Sequence, residues 1–141
     1  MEFLVVGIIL GILAVIVVPQ FTEATGQSDE STLACRVQTI RAQLELYKVQ
    51  HMDQYPNVGG EMGDFVRRLT DKTDQEHAFG GVFGPYFQQF PINPFNGSSS
   101  VRIDGPPPGA NTDGWRFDSS SGKIVADDSK LTPDGKYHFE L

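Results

Sequence analysis

The sequence has little positive charge and almost no cysteine. Its 141 residues carry 11 Lys and Arg against 18 Asp and Glu, a formal net charge of -7. This charge repels phosphate backbones, and because no basic run interrupts it, we expect no nucleic-acid binding. The single cysteine, Cys35, cannot form an internal disulfide and cannot complete a zinc site by itself. An apolar core must therefore hold the fold together.

The sequence motifs of common enzymes are also missing. No G-x-S-x-G nucleophile elbow, H-E-x-x-H zinc motif or phosphate-binding glycine loop occurs. The three histidines, His51, His77 and His138, do not follow a metal-ligand spacing. We therefore predict no enzymatic activity and no required cofactor.

What the sequence does contain is a concentrated apolar segment near its start. The 16 residues of Phe3–Val18 include no charged, amide or hydroxyl side chain. As a helix it would be about 24 Å long at ~1.5 Å per residue, slightly short of a hydrocarbon layer of ~30 Å. A cleaved signal peptide or an ordinary single-pass anchor should carry flanking basic residues, and the first one here is Arg36. Both interpretations fit the segment poorly.

Pro19 and Gly26, which follow this segment, predict a place where the helix bends or opens locally. Pro19 removes a backbone donor and crowds the preceding turn, and Gly26 lies in a polar stretch of low helix propensity. We therefore divide the chain into residues 1–27, an apolar transmembrane or assembly helix with a kink at Pro19, and residues 28–141, a globular domain.

The globular domain should begin with an amphipathic helix over residues 28–53, which ends before Pro56. Its main apolar stripe, with spacings of four and three, consists of Leu33, Val37, Ile40, Leu44 and Tyr47. A second apolar set lies on another side and consists of Cys35, Ala42, Leu46 and Val49. Two apolar sides need two covers. One is the chain's own globular part, and the other is lipid, another element or another copy of the protein.

The remainder of the sequence predicts a loop and a short helix over residues 54–75, followed by a loop-rich region and a sheet over residues 76–141. Strands are expected at Ser100–Ile103, Trp115–Phe117 and Lys123–Ala126, with Tyr137–Phe139 as a fourth candidate. The segment DSSSG should close a hairpin between the middle two. The fold class is thus α+β, with a long N-terminal helix packed on a small antiparallel sheet.

Glu2 followed by FLVVGIILGILAVIVVP, with a later helix ending in LELYKVQHMDQYP, resembles the N-terminal half of type IV pilins and of the major pseudopilins of type II secretion. The matching positions are Glu2, Gly11, Pro19 and Tyr55–Pro56. The resemblance covers residues 2–56. The stretches PYFQQFPINPFNG and DGWRFDSSSGKIV are similar to the looser C-terminal region of protein-G-type pseudopilins and of disulfide-free pilins. The missing cysteine pair of many pilins favours the pseudopilin version.

The resemblance implies a pilin-like fold and a structural subunit of a homopolymeric filament. The partners of such a subunit would be identical subunits and an inner-membrane assembly platform. It would lie in the inner membrane before assembly and in a periplasmic or extracellular filament afterwards. The implied assembly residues are Glu2, Phe3, Leu4, Val5, Val6, Ile8, Ile9, Leu10, Gly11, Ile12 and Leu13.

Glu2 has two interpretations. A carboxylate buried at the edge of an apolar helix costs several kcal/mol without a partner. The resemblance implies that the α-amino group of a neighbouring subunit supplies that partner. Alternatively, the carboxylate stays in water, where the helix dipole favours it.

Weaker signals suggest a metal and a glycan. Asp127, Asp128 and Asp134 lie near the C-terminus, where major pseudopilins bind calcium, and a solvated acidic loop is the alternative. Asn96 begins an N-x-S sequon.

Two other functions stay open. One is a membrane-tethered extracytoplasmic binding module that uses aromatic loops, and the other is a minor pilin at a filament tip. The aromatic residues themselves are expected to serve mainly as core; they are Tyr86, Phe87, Phe90, Trp115 and Phe117.

Overall fold

The computed structural model describes residues 2–59 and 62–141, and for Glu2, residues 13–25 and Met62 it describes the backbone alone. The α+β class is confirmed. The chain divides into two compact units, residues 1–32 and Leu33–Leu141. The elements in chain order are α1 (Glu2–Gln50), α2 (Met62–Thr70), β1 (Val101–Ile103), β2 (Trp115–Asp118), β3 (Lys123–Ala126) and a 3₁₀ helix (His138–Glu140).

The part of α1 in the second unit buries its predicted stripe. All five stripe residues are at most 1% exposed. The helix ends at Gln50, three residues earlier than expected, because Met52 and Asp53 adopt left-handed backbone angles with φ of 52° and 63°. The amide of Asp53 donates to the carbonyl of Lys48 at 3.0 Å, which closes the helix end in the usual left-handed way.

The sheet has the strand order β1-β2-β3. The predicted hairpin is confirmed, since β2 and β3 pair antiparallel with Phe117 opposite Ile124. The prediction of an antiparallel sheet is wrong in its first strand, because β1 pairs parallel to β2 with Val101 opposite Trp115. Parallel neighbours require a connection that carries the chain back along the strand. Residues 104–114 provide it, and the three prolines in this stretch favour an extended path.

The fourth candidate strand, Tyr137–Phe139, is not a strand. Tyr137 forms an isolated bridge with Leu131, and the chain then turns into the 3₁₀ helix. The turn carries His138 into the interior, where its Nδ1 lies 2.6 Å from Oδ1 of Asp128. Burial of this polar pair replaces a row of strand hydrogen bonds at this position.

The core of the second unit joins the α1 stripe to α2 and the sheet. Phe65 of α2 packs on Phe117 of β2 with ring centroids 4.9 Å apart. Trp115 is fully buried, and its indole N–H donates to the carbonyl of Pro91 at 2.8 Å. Phe90 is buried as well, whereas Tyr86 and Phe87 pack against the core from its edge. The expectation that these aromatic residues form core is confirmed for Trp115, Phe117 and Phe90.

The local geometry of the β2–β3 hairpin requires a glycine at position 122. Gly122 has a φ of +71°, and a Cβ built there would lie 2.4 Å from the ring of Tyr55. Any larger residue would therefore combine backbone strain with a clash. This close approach positions Tyr55, whose hydroxyl donates to Glu45 at 2.8 Å.

Candidate assembly surface and buried carboxylates

The first turns of α1 present apolar side chains to every side. Within the first unit their exposed fractions lie between 52% and 92%. Contiguous exposed apolar surface marks a protein or membrane contact, since a helix that is apolar all round is normally buried. We call these eight residues the apolar collar: Phe3, Leu4, Val5, Val6, Ile8, Ile9, Leu10 and Ile12.

Two glycines interrupt the apolar collar. Among the described residues, none would lie within 4 Å of a Cβ at Gly7 or Gly11. A spacing of four places them on the same side of the helix, which leaves a flat strip where another helix can approach closely.

Several predicted positions lie outside the described side chains. These are the carboxylate of Glu2, the side chain of Leu13 and the ring of Pro19. The α-helical assignment of the backbone includes both Pro19 and Gly26. A kink at Pro19 stays a prediction. Where side chains are described, no helix combines the length and the apolar character needed to cross a bilayer.

The second apolar set of α1 is solvent-exposed in the second unit. Leu46 is 44% exposed and Val49 is 78% exposed, and Cys35 and Ala42 are also exposed. The chain therefore covers one of the two predicted apolar sides and leaves the other uncovered within the residues that the structure describes.

Asp127 is a buried carboxylate with a full set of donors. Nη2 of Arg102 donates to its Oδ1 at 2.6 Å, as does the amide of Gly109 at 3.2 Å. Its Oδ2 accepts from the hydroxyl of Thr112 at 3.1 Å and the amide of Asp113 at 3.3 Å. Burial raises the pKa of Asp127, but the hydrogen bonds and the charge of Arg102 outweigh this and hold the pKa below its usual value. This carboxylate organises the long β1–β2 connection.

Asp128 faces a different set of partners. Its Oδ2 accepts from the side-chain amide of Asn93 at 2.9 Å, and its Oδ1 contacts Nδ1 of His138. Asp134 is exposed. The structure therefore does not bring Asp127, Asp128 and Asp134 to one point. Within the described residues, no group of three or more metal-ligating side chains is present. Calcium binding stays a prediction.

Asn96 is tied into a turn. Its Oδ1 accepts from the amide of Ser98 at 3.1 Å, and its Nδ2 donates to the carbonyl of Asp113 at 2.8 Å and to Oδ1 of Asn111 at 3.3 Å. A glycan would replace one hydrogen of this nitrogen, so at least one of the two bonds would have to break.

Two histidines that the sequence separates come together in the fold. The rings of His51 and His77 lie with centroids 5.0 Å apart, and the ring of His51 stacks on Tyr47 at 3.7 Å. The spacing of the two histidines in the sequence did not predict this pair, because a loop after α2 brings His77 back to the end of α1. The one local signal is the glycine-rich stretch after His77, which allows the chain to fold back sharply.

Two cavities adjoin Arg41 and Lys123. One of about 190 Å³ is also lined by Glu45 and Tyr55. The other, of about 540 Å³, is also lined by Phe139. Small-molecule sites usually occupy ~300–1,000 Å³, so the second cavity has the size of such a site.

Comparison of the chain with protein-family models, with curated proteins and with solved structures found no match.

Proposed function

We propose that this chain is a structural subunit that polymerises through the N-terminal part of α1 into a type IV pilus-like filament, either a pilin or a type II secretion pseudopilin. In this proposal the fold is pilin-like. A long N-terminal helix, apolar in its first half and amphipathic in its second, packs on the small sheet. The observation that carries the proposal is the apolar collar, which is exposed on all sides of α1.

The energetics favour helix-to-helix contact as the fate of the collar. Burying one aliphatic or aromatic side chain stabilises a contact by about 1.5–3 kcal/mol. Eight such side chains would contribute on the order of 10–25 kcal/mol per subunit before the entropy of ordering is subtracted. Gly7 and Gly11 would allow the close approach that such packing needs.

Glu2 would set the register of the filament. A carboxylate next to the collar is costly to bury alone, so it favours the one axial position where a neighbouring α-amino group lies opposite it. The apolar contacts themselves are non-directional and cannot choose that position.

Before assembly, Phe3–Val18 would hold the subunit in the inner membrane, beside the assembly platform. A run of 16 residues is shorter than the ~20 that span a bilayer upright, so we expect local thinning of the bilayer around it. Pro19 and Gly26 would let α1 open locally when it moves from lipid into the filament.

The test uses the purified full chain, examined by electron microscopy for thin helical fibres. Glu2→Gln keeps the size of the side chain but removes its charge, and Glu30→Gln is the matched control on the same helix. We expect fibres from the wild type and from Glu30→Gln, and absent or irregular fibres from Glu2→Gln. Regular wild-type fibres from Glu2→Gln would contradict the register role.

A second test removes residues 1–25. The remaining chain contains the whole second unit, so it should stay a soluble monomer in sedimentation experiments. Polymerisation as efficient as that of the full chain would contradict the role of the collar.

A membrane-tethered binding module is the alternative, and the cavity of about 540 Å³ beside Arg41 and Phe139 favours it. In that case Glu2→Gln would change nothing, and purified protein would stay unassembled. A minor pilin at a filament tip would keep the fold, and its low abundance in sheared filament preparations would identify it.

A further inference from the structure

A buried polar cluster joins the end of α1 to the loop after α2. It consists of Tyr47, His51, Thr73 and His77, and we call it the histidine cluster. The exposed fraction of each member is at most 6%. None of these side chains has a part in the proposed assembly.

The partners of His51 indicate which ring nitrogen carries the hydrogen. Its Nδ1 lies 2.8 Å from the backbone carbonyl of Tyr47, which can only accept, so Nδ1 carries the proton. Its Nε2 lies 2.9 Å from the hydroxyl of Thr73, which therefore donates to the ring.

His77 is fixed in the opposite tautomer. Its Nε2 lies 3.2 Å from Oε1 of Gln54, which accepts, so Nε2 carries the proton. Its Nδ1 lies 2.7 Å from the hydroxyl of Tyr47, which donates to it. Proton binding to Nδ1 of His77 would therefore reverse this bond, because the Tyr47 hydroxyl would have to turn and accept from the ring.

The surroundings add to this penalty. From α1, Tyr47 and His51 face His77; from α2, Arg68 brings a positive charge; and from the loop, Asp74 brings the opposing negative charge. Burial, the His51 ring and Arg68 lower the pKa of His77 below its ordinary value, and the effect of Asp74 is smaller.

Tyr47 and Tyr86 stay neutral beside the histidines. Burial raises the pKa of Tyr47 well above its ordinary value and the pKa of Tyr86 to about 12. Neither phenol can therefore supply a negative charge to balance a protonated ring near neutral pH.

The cluster holds down one segment of the chain, residues 73–83, which we call the latch segment. Thr73 and Phe83 exchange two backbone hydrogen bonds of 2.9 and 3.0 Å, and the amide of Asp74 donates to the carbonyl of Ala78. The amides of Tyr86 and Phe87 anchor the following residues to Leu69 of α2. The residues after the segment can therefore stay attached to α2 while the segment opens.

We propose that the histidine cluster is an acid-sensitive latch, in which proton binding to His77 releases the latch segment from the end of α1 while the sheet stays folded. The direction follows from linkage. A histidine that binds protons more weakly in the closed state favours opening as the pH falls below its ordinary pKa of 6.5. Above that pH the latch stays closed.

Amide hydrogen exchange of the full chain in dodecyl maltoside micelles tests the latch. Exchange at pH 7.5 and pH 5.0 is corrected for the intrinsic rates and followed in peptides that cover the latch segment and the β2–β3 hairpin. Proton binding to His77 can lower protection by up to about tenfold per pH unit below 6.5. We expect wild-type protection of the latch segment to fall at least tenfold at pH 5.0, while the hairpin keeps its protection.

The double variant His51→Gln, His77→Asn removes both imidazole rings of the cluster. The Oδ1 of Asn can accept from Tyr47 where Nδ1 did, and Asn tolerates the φ of +69° at position 77. Its latch protection should change less than threefold between the two pH values. His138→Asn, a buried histidine outside the cluster, should keep the wild-type fall. If the double variant does not fold, the single variant His77→Asn should show a smaller fall than the wild type.

Three results would overturn the proposal. The first is unchanged wild-type protection at pH 5.0. The second is an equal loss in the hairpin, which would indicate global unfolding. The third is a wild-type fall in a folded variant that lacks the histidines.

Discussion

Leu10 and Leu44 lie on the same helix and are the same kind of residue, yet they differ completely in their surroundings. Leu10 in the first unit is 61% exposed, whereas Leu44 in the second unit is 1% exposed. The difference is the pattern around them. Polar residues separate Leu44 from its neighbours along the chain and leave one apolar stripe, which the sheet and α2 can cover.

Around Leu10 the chain provides no polar side, so one covering surface would not be enough. Substitutions in the second unit should therefore change the free energy of unfolding. Substitutions in the apolar collar should change association instead. The predictions that follow test this division, from the largest expected effect on stability to the smallest.

Arg102→Met should give the largest loss of stability in the second unit. The change leaves the Asp127 carboxylate buried without its cation, and breaking a buried pair in this way costs about 3–5 kcal/mol. Urea unfolding followed by tryptophan fluorescence of Trp115 measures it. As a control, Arg67→Met removes an exposed pair with Asp71 and should cost less than about 1 kcal/mol. Equal losses in both variants would show that burial of the pair is unimportant.

The two leucines themselves provide a matched pair. Leu44→Ala should lower the free energy of unfolding by about 2–5 kcal/mol, because it opens a cavity in the core. Leu10→Ala should leave the unfolding of the second unit unchanged within about 0.5 kcal/mol and should reduce the yield of filaments. The comparison between the units fails if Leu10→Ala destabilises the second unit as much as Leu44→Ala.

Acid should destabilise the second unit through Asp127. Its pKa is lowered in the folded state, so the unfolded chain binds the proton more readily, and stability is lost as the pH falls below about 3.8. Asp127→Asn should show a shallower loss between pH 5 and pH 3 in urea unfolding. The exposed-site variant Asp134→Asn should keep the wild-type slope. A wild-type slope in a folded Asp127→Asn protein would contradict the assignment.

Leu46→Ala should have the smallest effect. Leu46 lies on the uncovered side of α1 and is 44% exposed, so its truncation should change the free energy of unfolding by less than about 0.5 kcal/mol. Thermal unfolding of the monomer measures this. A loss near that of Leu44→Ala would mean that the second apolar side has a cover inside the chain.

Local patterns predicted a large part of the second unit. The stripe from Leu33 to Tyr47 is buried, α2 forms around Phe65, and the β2–β3 hairpin closes at Gly122. These features depend on the spacing of apolar residues and on turn-forming residues that are close in the chain, so a short window of sequence contains the information.

Contacts between distant residues were not predictable in the same way. The parallel pairing of β1 depends on the course of residues 104–114, and the pairing of Asp127 with Arg102 depends on that same connection. Asp127 and Asp128 looked like one acidic group, but adjacent residues on extended chain point to opposite sides. They therefore meet different partners.

The sequence by itself determined the apolar collar, the amphipathic helix and the acidic net charge, because composition and periodicity are properties of the chain alone. Only the tertiary structure decided which carboxylates are neutralised, which apolar side of α1 is covered, and that His51 meets His77. Electrostatic and hydrogen-bond energies depend on distances of a few ångströms between groups that the chain holds far apart, and folding alone sets those distances.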